Sequence, residues 1–352
     1  MRSVLLFQRD QQKCAASHKI RFFGSPIRND TYNYGCFLIF FTRMNRKIGE
    51  FGGKLPGPLV LAFGALHGNE PAGVDALGRA IQMLEKEKQR DPSFRFNGKL
   101  VAFVGNLQGF QSSMRFLEKD LNRIWNLAEV QSWLQQDKES LCAEPLEVVE
   151  IFEAVRLEID RFPANEIVFL DLHTTSADGG IFSIPTDETG SLALARELYV
   201  PVILRLQDSI EGPLLKFAAA GHFKTAPARV SAVAFEAGQH EDPQSVHRSV
   251  VATISCLRAA GCIHPGVLHT EEEQMLRRFS TQFPPVVILR YVHHIGPDDA
   301  FRMRPGYLNF QSVKKGEHLA DDVRGPVLSP LDGMILMPLY QVKGSDGFFI
   351  VQ

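Results

Sequence analysis

The sequence predicts an α/β fold: a mixed, mostly parallel sheet with helices on both faces, followed by a small C-terminal all-β domain. Three observations carry that expectation. From Leu59 onward, short apolar runs of strand length alternate with stretches of helical period, the pattern of parallel strands joined by crossover helices. Several of those runs end on a polar or ionisable residue, at the position where an open sheet places its ligand crevice. After about Pro265 the pattern changes to strand-like pieces between Gly- and Pro-rich turns, with no long helix expected.

A chain of 352 residues accommodates one large core and one smaller one. The expected division is an unstructured extension over 1–43, an α/β domain over 44–264 and a β domain over 265–352. The extension carries seven basic residues against Asp10 and Asp30 and has no regular period. Its apolar cluster Cys36-Phe37-Leu38-Ile39-Phe40-Phe41 falls far short of the ~20 residues that span a bilayer. No signal-peptide order is present, and Met44 is a candidate start because the first patterned segment opens there. The formal net charge of -2 gives no bulk electrostatic case for nucleic acid or for an anionic membrane. Five scattered cysteines without a Cys-X-X-Cys spacing point to reduced thiols and a cytoplasmic setting.

Leu59 to Phe63 reads as a strand buried on both faces, broken at Gly64 by a turn carrying His67 and Glu70. Pro71 suits the first turn of the helix that follows, since its missing N–H has no intrahelical partner there. That helix spans Ala72 to Arg90, with Val74, Leu77, Ile81 and Leu84 on one face. Leu100 to Val104 is the next strand, and Leu146 to Phe162 carries another helical stripe. Ile167 to Leu170 then leads as a strand into Asp171 and His173. Short helices over Ser191–Tyr199 and Leu214–Ala220 flank the strand Val202–Leu204. Val230 to Phe235 ends at Glu236, and Ser245 to Ala260 closes the domain as a helix. Beyond Pro265, strands are expected at Val286–Leu289 and Phe348–Val351. No Gly-Lys-Ser/Thr and no Gly-X-Gly-X-X-Gly follows the first strand, which removes support for a nucleotide loop.

In an open sheet the strand ends share one rim, so His67, Glu70, His173 and Glu236 can converge although far apart in sequence. Two imidazoles and one carboxylate are a donor set typical of catalytic zinc, and the same set admits other divalent metals. Glu236 is the candidate general base and Asp171 a candidate hydrogen-bond partner for a ligand imidazole. Any one of these residues alone more often has a structural explanation. Their common placement at the ends of buried strands raises the joint case. Arg115 and Arg123 flank a mixed-charge loop, and their planar guanidinium forks, with Asn122, suit an anionic acylated amino acid. His240, His264, His269, His293, His294 and His318 read as ordinary surface or turn histidines.

Four segments together resemble the succinylglutamate desuccinylase/aspartoacylase family, within the wider zinc carboxypeptidase fold. They are His67-Gly68-Asn69-Glu70, Arg115 with Asp120-Leu121-Asn122-Arg123, Asp171-Leu172-His173-Thr174-Thr175 and Phe235-Glu236-Ala237-Gly238. The likeness in order and spacing runs from about residue 59 to 240. It implies that His67, Glu70 and His173 bind one Zn2+, that Glu236 activates water, and that Arg115 polarises the scissile carbonyl. Asn122 and Arg123 are implied to hold a substrate carboxylate. More loosely, Val313 to Ala320 and Ser329 to Leu336 are similar to the family's β domain, which resembles a lipoyl-type barrel. Two departures stand out. The family's tyrosine near the C-terminus meets Gly347-Phe348-Phe349 here, and its additional arginine is matched only by Arg229 at an imperfect offset. The resulting expectation is a zinc hydrolase that cleaves the amide bond of an N-acyl amino acid or similar small anion, with no nucleic-acid or membrane partner and an open oligomeric state. A metallocarboxypeptidase for short peptides and a non-catalytic zinc-containing binding protein are the alternatives.

Overall fold

The computed structural model describes residues 45–224 and 227–352, so the expected N-terminal extension lies outside the described residues. An edge strand, β1 (Lys47–Gly52), precedes β2 (Leu59–Gly64), in which all six residues are buried. A strand covered on both faces needs no polar alternation, hence the continuous apolar run. Helix α1 (Ala72–Arg90) follows with Pro71 as its N-cap and its apolar stripe turned inward. The chain continues through β3 (Lys99–Val104), the short α2 (Leu107–Gln111), α3 (Leu127–Leu134) and α4 (Ala143–Arg161). Next come β4 (Glu166–Thr175), β5 (Phe182–Pro185), α5 (Gly190–Arg196), β6 (Val202–Leu204), α6 (Leu214–Ala219), β7 (Arg229–Gln239) and α7 (Gln244–Ala259).

Two strands run past their expected ends. β4 continues to Thr175 and β7 to Gln239, because β4 has a hydrogen-bonded neighbour on each side and its ladder with β7 carries on beneath the polar side chains. His173 and Glu236 therefore sit inside strands, not in the loops after them. The region beyond Pro265 also departs from expectation by opening with a helix, α8 (Glu271–Ser280). Its signals are capping and charge: Thr270 accepts from the Glu273 amide, three glutamates fill the first turn and two arginines the last, while Leu276 is buried. Strands β8 (Val286–His294), β9 (Arg302–Met303), β10 (Gln311–Val313), β11 (His318–Asp322), β12 (Gly325–Leu328), β13 (Gly333–Leu336) and β14 (Asp346–Val351) complete the chain.

Among the described residues eleven strands form one sheet in the order β1-β3-β2-β4-β7-β5-β6-β8-β14-β13-β10, and β12-β11-β9 form a second. The central β3, β2, β4 and β7 are mutually parallel, so their carboxyl ends share a rim. Beyond them β5 turns antiparallel to β7, β6 runs parallel to both β5 and β8, and β14 pairs antiparallel with β8. One face of the sheet packs on α4, α6 and Trp125, the other on α1 and α7. Phe63, Phe169 and Phe235 lie in these layers without exposure, each burial contributing about 1.5–3 kcal/mol. Among the described residues no helix is long and apolar enough to cross a membrane. Cys256 and Cys262 are free and buried.

Candidate metal centre and active site

The turn after β2 holds two of the candidate ligands. Its shape depends on close backbone approach: a Cβ on Gly68 would lie 2.1 Å from the Gly109 carbonyl carbon and 2.4 Å from the Met114 oxygen. Only glycine fits there, and the Gly68 amide donates to the Arg115 carbonyl at 3.1 Å, which ties this turn to the arginine loop. Glu70 lies between two imidazoles, 2.9 Å from His67 Nδ1 and 3.2 Å from His173 Nδ1. The donor atoms of His67, Glu70 and His173 all fall within 4.8 Å of one another, and all three residues are buried.

Each imidazole turns its other nitrogen toward a second carboxylate. His173 Nε2 is 2.6 Å from Asp171 and His67 Nε2 is 3.2 Å from Asp120. A carboxylate facing Nε2 keeps the proton there, which leaves both Nδ1 lone pairs aimed into the cluster. Burial alone would lower the His173 pKa, but Asp171 and Glu70 raise it well above the usual imidazole value. Burial likewise works to raise Glu70, and His67 with His173 outweighs it and holds that carboxyl well below its ordinary range. A group of carboxylates that retains positive charge so firmly suits a divalent cation. The donor set, two imidazole nitrogens and one carboxylate, fits zinc.

The loop after β3 brings the arginines. Arg115 donates to Asp120 through Nη2 at 3.1 Å and reaches Glu70 through Nη1 at 3.5 Å. Asp120 thus orders both His67 and Arg115. Sequence reasoning quoted it only as part of a motif. A second unassigned residue is Glu144, fully buried at the start of α4, which accepts the backbone amides of Leu117, Glu118 and Lys119 and the side chain of Asn106. It holds the segment between Arg115 and Asp120 in place. Nothing local distinguishes it from a favourable charge in a first helical turn.

Glu236 stands directly across from His173 in the β4–β7 register, and its Oε2 is buried without a hydrogen-bond partner. Burial, opposed by His173 and reinforced by Glu70 and Asp171, pushes its pKa up to about 8. His67, Glu70, His173, Glu236, Arg115, Asn122 and Arg123 all line one cavity. Asn122 uses its Oδ1 to accept the Leu214 amide at the head of α6, and Arg123 forms an ion pair with Asp346 at 3.1 Å. Arg229 does not join them: it is exposed at the start of β7 beside Glu166, at the opposite end of the strand. Phe349 lines the cavity wall near the expected position of the tyrosine, and no tyrosine is among the lining residues. Of the other described histidines, His240 contacts Thr174 at 2.7 Å, and none belongs to the ligand group.

The model of the succinylglutamate desuccinylase/aspartoacylase catalytic domain matches residues 56–255. Succinylglutamate desuccinylase from Chromobacterium violaceum superposes with a TM-score of 0.56 at 18% identity, over 86% of this chain and 87% of that one. For the ectoine utilization protein EutE from Ruegeria pomeroyi the values are 0.57, 17%, 84% and 85%. For a succinylglutamate desuccinylase/aspartoacylase from Rhodobacter sphaeroides they are 0.55, 17%, 85% and 85%. At such identities the likeness is one of fold. Among curated proteins there is no match.

Proposed function

The chain belongs to the succinylglutamate desuccinylase/aspartoacylase family, and from that premise we propose that it is a zinc-dependent amidohydrolase cleaving an N-acyl amino acid or a similar small anion. One observation carries the reading: three buried metal donors within 4.8 Å of one another share a cavity with an unpartnered carboxylate, Glu236, and a fixed guanidinium, Arg115. The metal, when bound to His67, Glu70 and His173, supplies the Lewis acidity that makes water a nucleophile near neutral pH.

The remaining roles fall to the chain's own side chains. Glu236 accepts a proton from the attacking water and passes it to the departing amine nitrogen. Its place across from His173, with Oε2 free of any hydrogen-bond partner, suits both halves of that transfer. Arg115, held by Asp120, offsets the negative charge that develops on the carbonyl oxygen. Arg123, steadied beside Asn122, receives a substrate carboxylate.

The test is a screen of the zinc-replete protein against N-acetyl and N-succinyl amino acids, with Glu236→Gln as control. The expected result is turnover by the wild type and a drop in kcat of roughly 10²–10⁴-fold in the variant, with metal content unchanged. A zinc-replete wild type that hydrolyses no N-acyl amino acid overturns the reading.

A further inference from the structure

We propose that this site selects N-acyl amino acids carrying one carboxylate and an apolar group, and that Asp346 is the residue that rejects a second carboxylate; the inference rests on the hydrolase reading above. Asp346 begins β14, the strand where the family's tyrosine was sought, and it projects a carboxylate into the same cavity as the metal donors. Arg123 Nη2 binds it at 3.1 Å, His294 Nδ1 lies 2.8 Å from its other oxygen, and its side chain is only 10% exposed.

The consequence is a matter of charge and shape. Among the cavity-lining residues the arginines are Arg115 and Arg123. Both are already engaged, Arg115 by Asp120 and Glu70, Arg123 by Asp346 and by the Asn122 carbonyl. Arg123 retains donors for one incoming carboxylate, but among the described residues no further arginine and no lysine lines the cavity for another. A second carboxylate would also meet Asp346 and Asp171 along the same wall, where like charges repel. What the wall does offer is apolar surface, from Ile184, Leu206, Leu215, Met337, Leu339 and Phe349. An apolar substituent gains by covering that surface, and a carboxylate placed there loses its hydration without a partner.

The test compares N-acetyl-leucine with N-acetyl-aspartate on the zinc-loaded protein. Selectivity is read as kcat/KM on the wild type and as dissociation constants by calorimetry on Glu236→Gln. The expected ratio favours the leucine compound by ~10-fold or more in both, the scale of discrimination an apolar pocket provides. Asp346→Asn should move the ratio toward the aspartate compound by ~10-fold, by releasing Arg123 and removing one negative charge. Should that variant fold poorly, Ile210→Arg places a new cation on the cavity wall and should shift the ratio in the same direction. A wild type that prefers the aspartate compound overturns the inference and leaves the hydrolase reading standing. Cleavage of neither compound, with the N-succinyl amino acids of the screen also left intact, overturns the hydrolase reading instead. In that case the two dissociation constants on the uncleaving wild type still decide the inference, equal or aspartate-favouring values sinking it.

Discussion

At the rim of the parallel strands His173 lies 2.6 Å from Asp171, and in the C-terminal β region His318 lies 2.8 Å from Asp321. The residue types and spacings are nearly the same, yet the surroundings differ. Asp171 and His173 are buried and a third group, Glu70, reaches the free ring nitrogen. The His318 ring instead meets the Arg304 side chain and is partly exposed. Parallel strands stack their carboxyl ends side by side, so β2, β4 and β7 deliver His67, Glu70, His173 and Glu236 to one place. The antiparallel β11 and β12 run their ends in opposite directions, and the His318 ring meets only the Arg304 and Asp321 side chains. A histidine–carboxylate pair thus becomes a candidate metal centre through convergence and burial, and remains a weak surface contact without them.

The largest expected effect breaks the convergence itself. His173→Ala should reduce zinc from about one ion per chain to none by elemental analysis, since two protein ligands do not retain the metal that three hold in a catalytic site. Loss of zinc in His318→Ala instead would invert the comparison. Next in size is Arg115→Ala, for which kcat should fall by about 10²–10³-fold, the scale of an oxyanion donor, while zinc content stays unchanged. Asp171→Asn should keep the ion but weaken its affinity by roughly 10–100-fold in a chelator competition, because the hydrogen bond that orients His173 is weakened.

A pair far from the cavity sharpens the role of burial. Burial works to raise the Glu158 pKa, but hydrogen bonds and charge from Lys47 and Lys99 outweigh it and the carboxyl is lowered from 4.5. Its folded-state value being depressed, the stabilisation is present above that unfolded value and lost as pH falls through the lower folded one. Thermal melts of Glu158→Gln should therefore lie below those of the wild type near pH 6, with the gap closing in acid. The smallest effect is expected of His318→Ala, whose stability should stay within about 0.5 kcal/mol of the wild type by denaturant titration.

Residues that act through their own neighbours in sequence were legible. The turn at Gly64, the helix start at Pro71 and the apolar run before Asp171 are local signals, and His67, Glu70 and His173 followed from them. The family resemblance extended the reading to Arg115, Asn122 and Arg123, and the match over residues 56–255 bears the family out. Asp120 and Glu144 were missed because their roles are contacts across 53 and about 26 residues of chain. The helix over Glu271–Ser280 went unread because its signals are charge and capping, with little apolar stripe to mark it.

Alternating strand and helix periods, together with the polar residues that interrupt them, determined the layer order of the sheet and the set of side chains available at its rim. Tertiary structure alone decided which of those side chains touch. Asp346 reaches Arg123 across 223 residues, and Arg229, nearer in sequence to Glu236, faces the other end of the same strand. Periodicity reports which face of an element is apolar. The distance between two polar groups on separate elements depends on strand direction and register, which form only when the sheet assembles.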